Sequence, residues 1–131
     1  MGVIVVILFM NIKEKGSNMK ITADIKDYLY KKLEHLNKFL DSKDESVLCE
    51  VELGKTTRHH KGGDVFRTEI NLHIAGKNLR AVSETDELFA SIDIAKDEMA
   101  RELQLNKDKK VSLLKKGGAK IKNLQKGITK K

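Results

Sequence analysis

The sequence has no proline, no tryptophan, one cysteine, and only 5% aromatic residues. With Cys49 alone, neither a disulfide nor a cysteine metal cluster can form within one chain, which suits a reducing compartment such as the cytosol. Cys49 alternates with Val47, Val51 and Leu53, the pattern of a buried thiol rather than a nucleophile. Long apolar runs are also missing. The opening "MGVIVVILFM" is too short to span a bilayer, no Lys or Arg precedes it, and no small-residue cleavage site follows it. Val6 stands where a myristoylation signal needs Ser or Thr. No membrane partner is therefore expected. The run either extends a first strand or lies upstream of a true start at Met10. The second reading is preferred, and residues 1–9 are expected to be a dispensable extension.

Catalytic signatures are absent too. There is no Gly-rich nucleotide loop and no serine in an elbow motif, and the paired carboxylates sit on solvated faces. The expectation is a protein that is not an enzyme and has no cofactor and no small-molecule substrate.

What is present is an ordinary soluble composition, 34% charged and 40% hydrophobic over 131 residues, enough for one domain with a modest core. The net charge of +7 is unevenly placed. Residues 101–131 hold 11 basic and 2 acidic side chains, leaving the remainder slightly acidic. A near-neutral body with a basic end points to a polyanion, nucleic acid before an anionic membrane.

Periodicity orders the chain. "MNIKEK" alternates as a short strand, broken at Gly16-Ser17-Asn18. A helix is expected over 23–40, with Thr22 as N-cap and Ile25, Leu29, Leu33, Leu36 and Leu40 as its buried stripe. "VLCEVELGK", "VFRTEINLHIAG" and "LRAVS" read as an antiparallel meander with one wet face and an "AGKN" hairpin turn. A second helix starts near Thr85 or Asp86, with Ser83 and Asp86 resembling a capping box, and carries the stripe Leu88, Ile92, Ala95, Met99 and Leu103. It is expected to fray over 106–110. The fold class is α+β, β-α-β-β-β-α, a four-stranded sheet with two helices packed on one face. The parts are an extension (1–9), a domain (10–108) and a basic disordered tail (109–131) with two glycines and little periodicity.

Two adjacent histidines in "TTRHHKGGDVFR" raise the question of a metal. On an extended chain His59 and His60 point to opposite sides, and a zinc site would need further ligands at suitable spacing. An anion suits the segment better. Arg58, His59, His60 and Lys61 occupy a hairpin tip, and Gly62-Gly63 lets the backbone turn tightly and approach a ligand. A second cluster runs along helix two, Lys96, Arg101 and Lys107 toward Lys109 and Lys110, and helix one adds further lysines. Solvated faces and helix-dipole capping account equally well for these until the fold brings the clusters together.

Residues 10–110 resemble the ribosome hibernation-promoting factor and ribosome-associated inhibitor A family. The resemblance rests on "MNIKEKGSNMKITADIKDYLYKKLEHLNKF", "GKTTRHHKGGDVFRTEINLHIAGKNLRA" and "DELFASIDIAKDEMARELQLNKDK". Its most specific piece is "LFASID", similar to an aromatic-Ala-Ala-Ile-Asp signature that opens the last helix. The resemblance implies a cytoplasmic translation inhibitor bound to the small ribosomal subunit and its rRNA between head and body, where messenger and transfer RNA otherwise sit. It implies RNA-binding roles for Lys26 and Lys32 on helix one, for Lys96, Arg101 and Lys107 on helix two, and for the hairpin. Glu98, Gln104, Leu105 and His35 depart from its basic pattern. Long members carry a second, C-terminal domain that pairs ribosomes. The tail here is too short for one, so a monomer off the ribosome is expected. The rival readings are a general double-stranded RNA binder and a metal-dependent hydrolase using His59 and His60.

Overall fold

The computed structural model of the protein describes residues 8–41, 43–58 and 63–128, with side chains described up to residue 109, Arg58 excepted. The element order is β1 (Asn11–Ser17), α1 (Ala23–Leu33), a 3-10 helix (Glu34–Phe39), β2 (Leu48–Arg58), β3 (Gly63–Ile74), β4 (Lys77–Thr85) and α2 (Leu88–Ile128). The sheet order is β1-β2-β3-β4, with β1 parallel to β2 and the others antiparallel. This is the expected β-α-β-β-β-α arrangement. The parallel β1–β2 pair needs a crossover, and α1 supplies it.

Alternation sets the two faces of the sheet. Val47, Cys49, Val51, Leu53, Ile70, Leu72 and Ala81 are buried beneath the helices, together with Leu29, Leu33 and Leu36 from the first helical segment and Ile92, Ala95, Met99 and Leu103 from α2. Burial pushes the Cys49 thiol up to about 12, so it stays protonated and inert.

Several boundaries differ from the sequence reading. The break after β1 comes at Asn18, which has φ 57°, while Gly16 and Ser17 still pair with Leu53 and Gly54. Glycine is needed at 16 because a Cβ there would lie 2.3 Å from the Met19 carbonyl oxygen. Helix one tightens into 3-10 geometry after Leu33, although the Thr22 cap holds, accepting from the Ile25 N–H at 3.4 Å. No capping box forms at Ser83, which is buried in β4 and donates to the Ser91 carbonyl. Thr85 instead accepts from the Glu87 N–H at 3.2 Å. Ala75 and Gly76, both at positive φ, make the two-residue hairpin between Ile74 and Lys77.

Two corrections concern the ends. Leu8 packs against the core, the Phe9 N–H donates to Asn37 Oδ1 at 3.0 Å, and Met10 is buried, so positions 8 and 9 are tied to the domain. Residues 1–7 of the expected extension lie outside the described residues. At the other end, α2 runs as continuous helix through the stretch expected to fray and on to Ile128, and residues 129–131 of the expected tail lie outside the described residues. The segment has no proline, and its Lys, Leu, Ala and Gln favour helix enough to offset the Gly117-Gly118 pair.

Candidate nucleic-acid interface

The signature at the start of α2 couples both helices to the sheet through four of its residues, Phe89, Ser91, Ile92 and Asp93. Phe89 packs against Tyr28 with the rings tilted by 57° and their centroids 4.4 Å apart. The Ser91 hydroxyl shares a buried hydrogen bond with Thr68 at 2.6 Å. Ile92 is fully buried. Asp93 Oδ1 accepts from the Tyr28 hydroxyl at 2.7 Å and lies 3.4 Å from Lys32 Nζ. Thr68 takes an inward position on β3, where the alternating pattern would place another apolar residue, and Ser91 satisfies its hydroxyl.

The same device recurs at the β1 edge. Glu14 faces the helix side of an edge strand, a charge that also discourages strand addition there. It accepts from the Tyr30 hydroxyl at 2.7 Å, and Lys26 Nζ lies 3.3 Å away. Both ammonium groups also stand over the neighbouring ring, Lys26 at 5.5 Å from the Tyr30 centroid and Lys32 at 5.3 Å from that of Tyr28. The hydrogen bond to Asp93 raises the Tyr28 phenol to about 12, and burial followed by the bond to Glu14 does the same for Tyr30. Both phenols therefore remain donors throughout the physiological range. The two tyrosines of the chain thus fix the two α1 lysines for which RNA contact is expected. Nothing in spacing alone marked Glu14 or Asp93 for this, because their partners lie 16 and 65 residues away in sequence.

The remaining expected contacts are dispersed. Lys96 is largely packed, its side chain 14% exposed, and pairs with Asp97 at 2.6 Å. Arg101 is open to solvent, with Glu98 at 3.7 Å. Lys107 and Lys109 are exposed beside the β3–β4 turn. They border a cleft of about 380 Å³ floored by Phe39, Leu40, Ile74 and Leu103. The backbone of Arg58 ends β2, its side chain is outside the description, and His59, His60 and Lys61 lie outside the described residues. Lys110 lies on α2, its side chain likewise not described. Because α2 runs alongside β3 from the Thr68 level to the Ile74–Lys77 turn, its lysine-rich second half leaves the sheet at the end opposite the β2–β3 hairpin. The start of β3 at Gly63 and the end of the sheet where α2 departs are separated by the length of β3, about 40 Å for its 12 residues. The fold ties Lys26 to the β1 side of α1 through Glu14 and Lys32 to the α2 side through Asp93, about 120° apart around the helix, so even the α1 lysines do not form one cluster.

The open face of the sheet is charge-balanced. Glu69 Oε2 accepts from Arg80 at 3.0 Å and from Asn71 at 2.9 Å, and Arg67 lies 2.8 Å from Oε1. The Arg80 hydrogen bond, with those of Asn71 and Arg67, holds this carboxyl down at about 2. Its unfolded value is near 4.5, so the native state gains stability above that pH and loses it as pH falls from about 4.5 to 2. Glu69→Gln is expected to remove about 1–3 kcal/mol of acid-dependent stability. Urea melts of both proteins between pH 2 and 6 check this, and parallel pH curves would contradict it. His73 is held above its ordinary range by Glu50, 2.8 Å from Nε2, and by Asn78.

Among the described residues no three His, Cys, Asp or Glu side chains gather as a metal-binding group. No described helix is long and apolar enough to cross a membrane.

The family model described as "Sigma 54 modulation protein / S30EA ribosomal protein" matches residues 12–111. The chain is 29% identical over 100 residues to the ribosome hibernation promoting factor of Klebsiella oxytoca, covering 76% of this chain and 96% of that one. It is also 29% identical over 100 residues to the ribosome hibernation promotion factor of a Picosynechococcus strain, of which it spans only 50%. The N-terminal domain of Thermus thermophilus Protein Y superposes with a TM-score of 0.60 at 30% identity, covering 72% of this chain and 96% of that domain. The match runs through β1, α1, the hairpin and the covered part of α2, and on that basis the chain belongs to the Sigma 54 modulation protein / S30EA ribosomal protein family.

Proposed function

We propose that this protein is a non-enzymatic, cytoplasmic ribosome-associated translation inhibitor that binds small-subunit rRNA in the decoding channel. Inhibition is steric: occupancy of the channel excludes messenger and transfer RNA. The observation that carries this reading is the extent of the family match, which spans the whole sheet-and-helix unit rather than one motif. The polar architecture supports it. A neutral body holds two pre-oriented lysines on α1 and has a basic cluster at each end, which suits a groove walled by phosphates at several points. The carboxylate partners of Lys26 and Lys32 limit indiscriminate attraction to polyanions, because each ammonium is already neutralised until a well-placed phosphate competes for it. In this reading the RNA-facing groups are Lys26, Lys32, Lys96, Arg101, Lys107, Lys109 and Lys110 with the hairpin residues Arg58, His59, His60 and Lys61.

Co-sedimentation with separated subunits tests it. The expected result is saturable binding to small subunits and not to large ones, with messenger and transfer RNA competing for the same site. Equal binding to both subunits and to arbitrary RNA duplexes would replace it with the general duplex-binding alternative.

A further inference from the structure

Helix α2 continues well past the sheet it covers. The sheet ends at the β3–β4 turn, where Lys77 Nζ donates to Asn106 Oδ1 at 3.0 Å. Residues 110–128 add about 28 Å of helix at 1.5 Å per residue. In this stretch Leu114, Gly117, Ile121, Leu124 and Ile128 recur at alternating steps of three and four, which places them on one helical face with Leu113 at its edge. At about 100° per residue, that face is in phase with the buried stripe of Ile92, Met99 and Leu103, interrupted by polar Asn106 and Lys110. Lys115, Lys116, Lys120, Lys122 and Lys126 fall on the remaining arc, and no acidic residue follows Asp108.

We propose that residues 111–128 of α2 dock on an anionic lipid surface, the aliphatic stripe at the acyl boundary and the lysines among the headgroup phosphates. Charge complementarity selects a polyanion, and the aliphatic stripe selects which one. A nucleic-acid backbone would be served by the lysines alone, whereas a bilayer interface uses both faces of a basic amphipathic helix. A second copy of the chain fits less well. The stripe is under three heptads long, short for a stable helix pair, and pairing would bring two strongly cationic segments together. Such a helix lies in the interface and does not cross it, consistent with its length and charge. Its few aliphatic residues make binding depend on anionic lipid. The absence of a membrane partner was expected from the N-terminal run, and the surface identified here is a different segment.

This proposal is independent of ribosome binding and is tested on the full chain by flotation with vesicles. Phosphatidylcholine vesicles enriched in phosphatidylglycerol are expected to bind it at low salt, and pure phosphatidylcholine at least about tenfold less. A Leu114→Gln, Ile121→Gln, Leu124→Gln variant keeps helix propensity and every charge. It is expected to lose at least about tenfold in vesicle affinity while binding small subunits as the parent does. No binding to anionic vesicles overturns the proposal. So does a variant that binds them as tightly as the parent, which would mark a charge-only arm. A parent that sediments as a dimer through the same stripe, with the variant monomeric and vesicle binding absent, would assign the surface to a second copy.

Discussion

Ile92→Asp is expected to unfold the domain or lower its melting temperature by 20 °C or more. Ile92 is fully buried at the point where α2 crosses the sheet, among Leu29, Ile70, Leu72 and the other core residues. The substitution removes the packing of a large aliphatic side chain, which alone costs several kcal/mol in a core. It also places a carboxylate where no partner is available, adding a desolvation penalty of several kcal/mol or forcing the acid to stay protonated. A domain of this size has about 5–15 kcal/mol in all, and each kcal/mol shifts the melting temperature by roughly 4–8 °C. Ile94→Asp is the control. Ile94 is two residues away and 46% exposed, so the same change of chemistry is expected to stay within about 0.5 kcal/mol. Thermal melts followed by circular dichroism check both. A cooperative, parent-like transition for Ile92→Asp would contradict the packing of α2 on the sheet.

That experiment probes the part of the molecule most legible in the sequence. Period-two alternation identified Val47, Cys49, Val51 and Leu53, and three-four spacing identified Ile92, Ala95, Met99 and Leu103, because burial against one flat layer imposes those periods directly. The element order followed from them. What local pattern misses is long-range. Asp93, Glu14, Thr68 and Ser91 act through partners on other elements, and a carboxylate on a helix surface looks the same in sequence whether it meets water or a tyrosine. The capping box at Ser83 was a local reading overridden by a tertiary one, since the hydroxyl is taken by the Ser91 carbonyl. The helical second half of α2 was missed for the opposite reason. Its glycines and lysines suggested disorder, while the apolar stripe among them keeps the phase of the core stripe. Of the expected RNA-contact residues, those on α1 acquire a defined setting, Lys96 is mostly packed, and the hairpin remains a reading of sequence.

The hairpin gives the second large effect. Converting Arg58, His59, His60 and Lys61 to alanine is expected to weaken small-subunit binding by about 10–100-fold at low salt and to flatten the log–log salt dependence by up to about two units. The strand ends are held independently of those side chains. Arg58 pairs with Gly63 through the backbone, the Thr57 hydroxyl donates to Asp64 Oδ1 at 3.0 Å, and Lys55 lies 3.2 Å from Asp64 Oδ2. Folding should therefore survive the substitution, as loop tips generally allow. The substitution removes two full charges and two imidazoles. Because an imidazole adds charge only when protonated, the defect is expected to widen modestly as the pH is lowered. Loss of net charge by itself could mimic part of this. Lys13→Ala with Lys15→Ala removes the same two charges from the open sheet face, where these lysines are cross-strand neighbours of Glu50 and Glu52. That pair of substitutions is expected to leave affinity and salt slope close to those of the parent. Equilibrium binding to small subunits across a salt series distinguishes the cases. If the sheet-face variant and the hairpin variant shift the slope equally, the hairpin contributes only to overall charge. If neither shifts it, the basic hairpin is a solvated turn, and binding rests on Lys26 and Lys32 of α1 and on Lys96, Arg101, Lys107, Lys109 and Lys110 of α2.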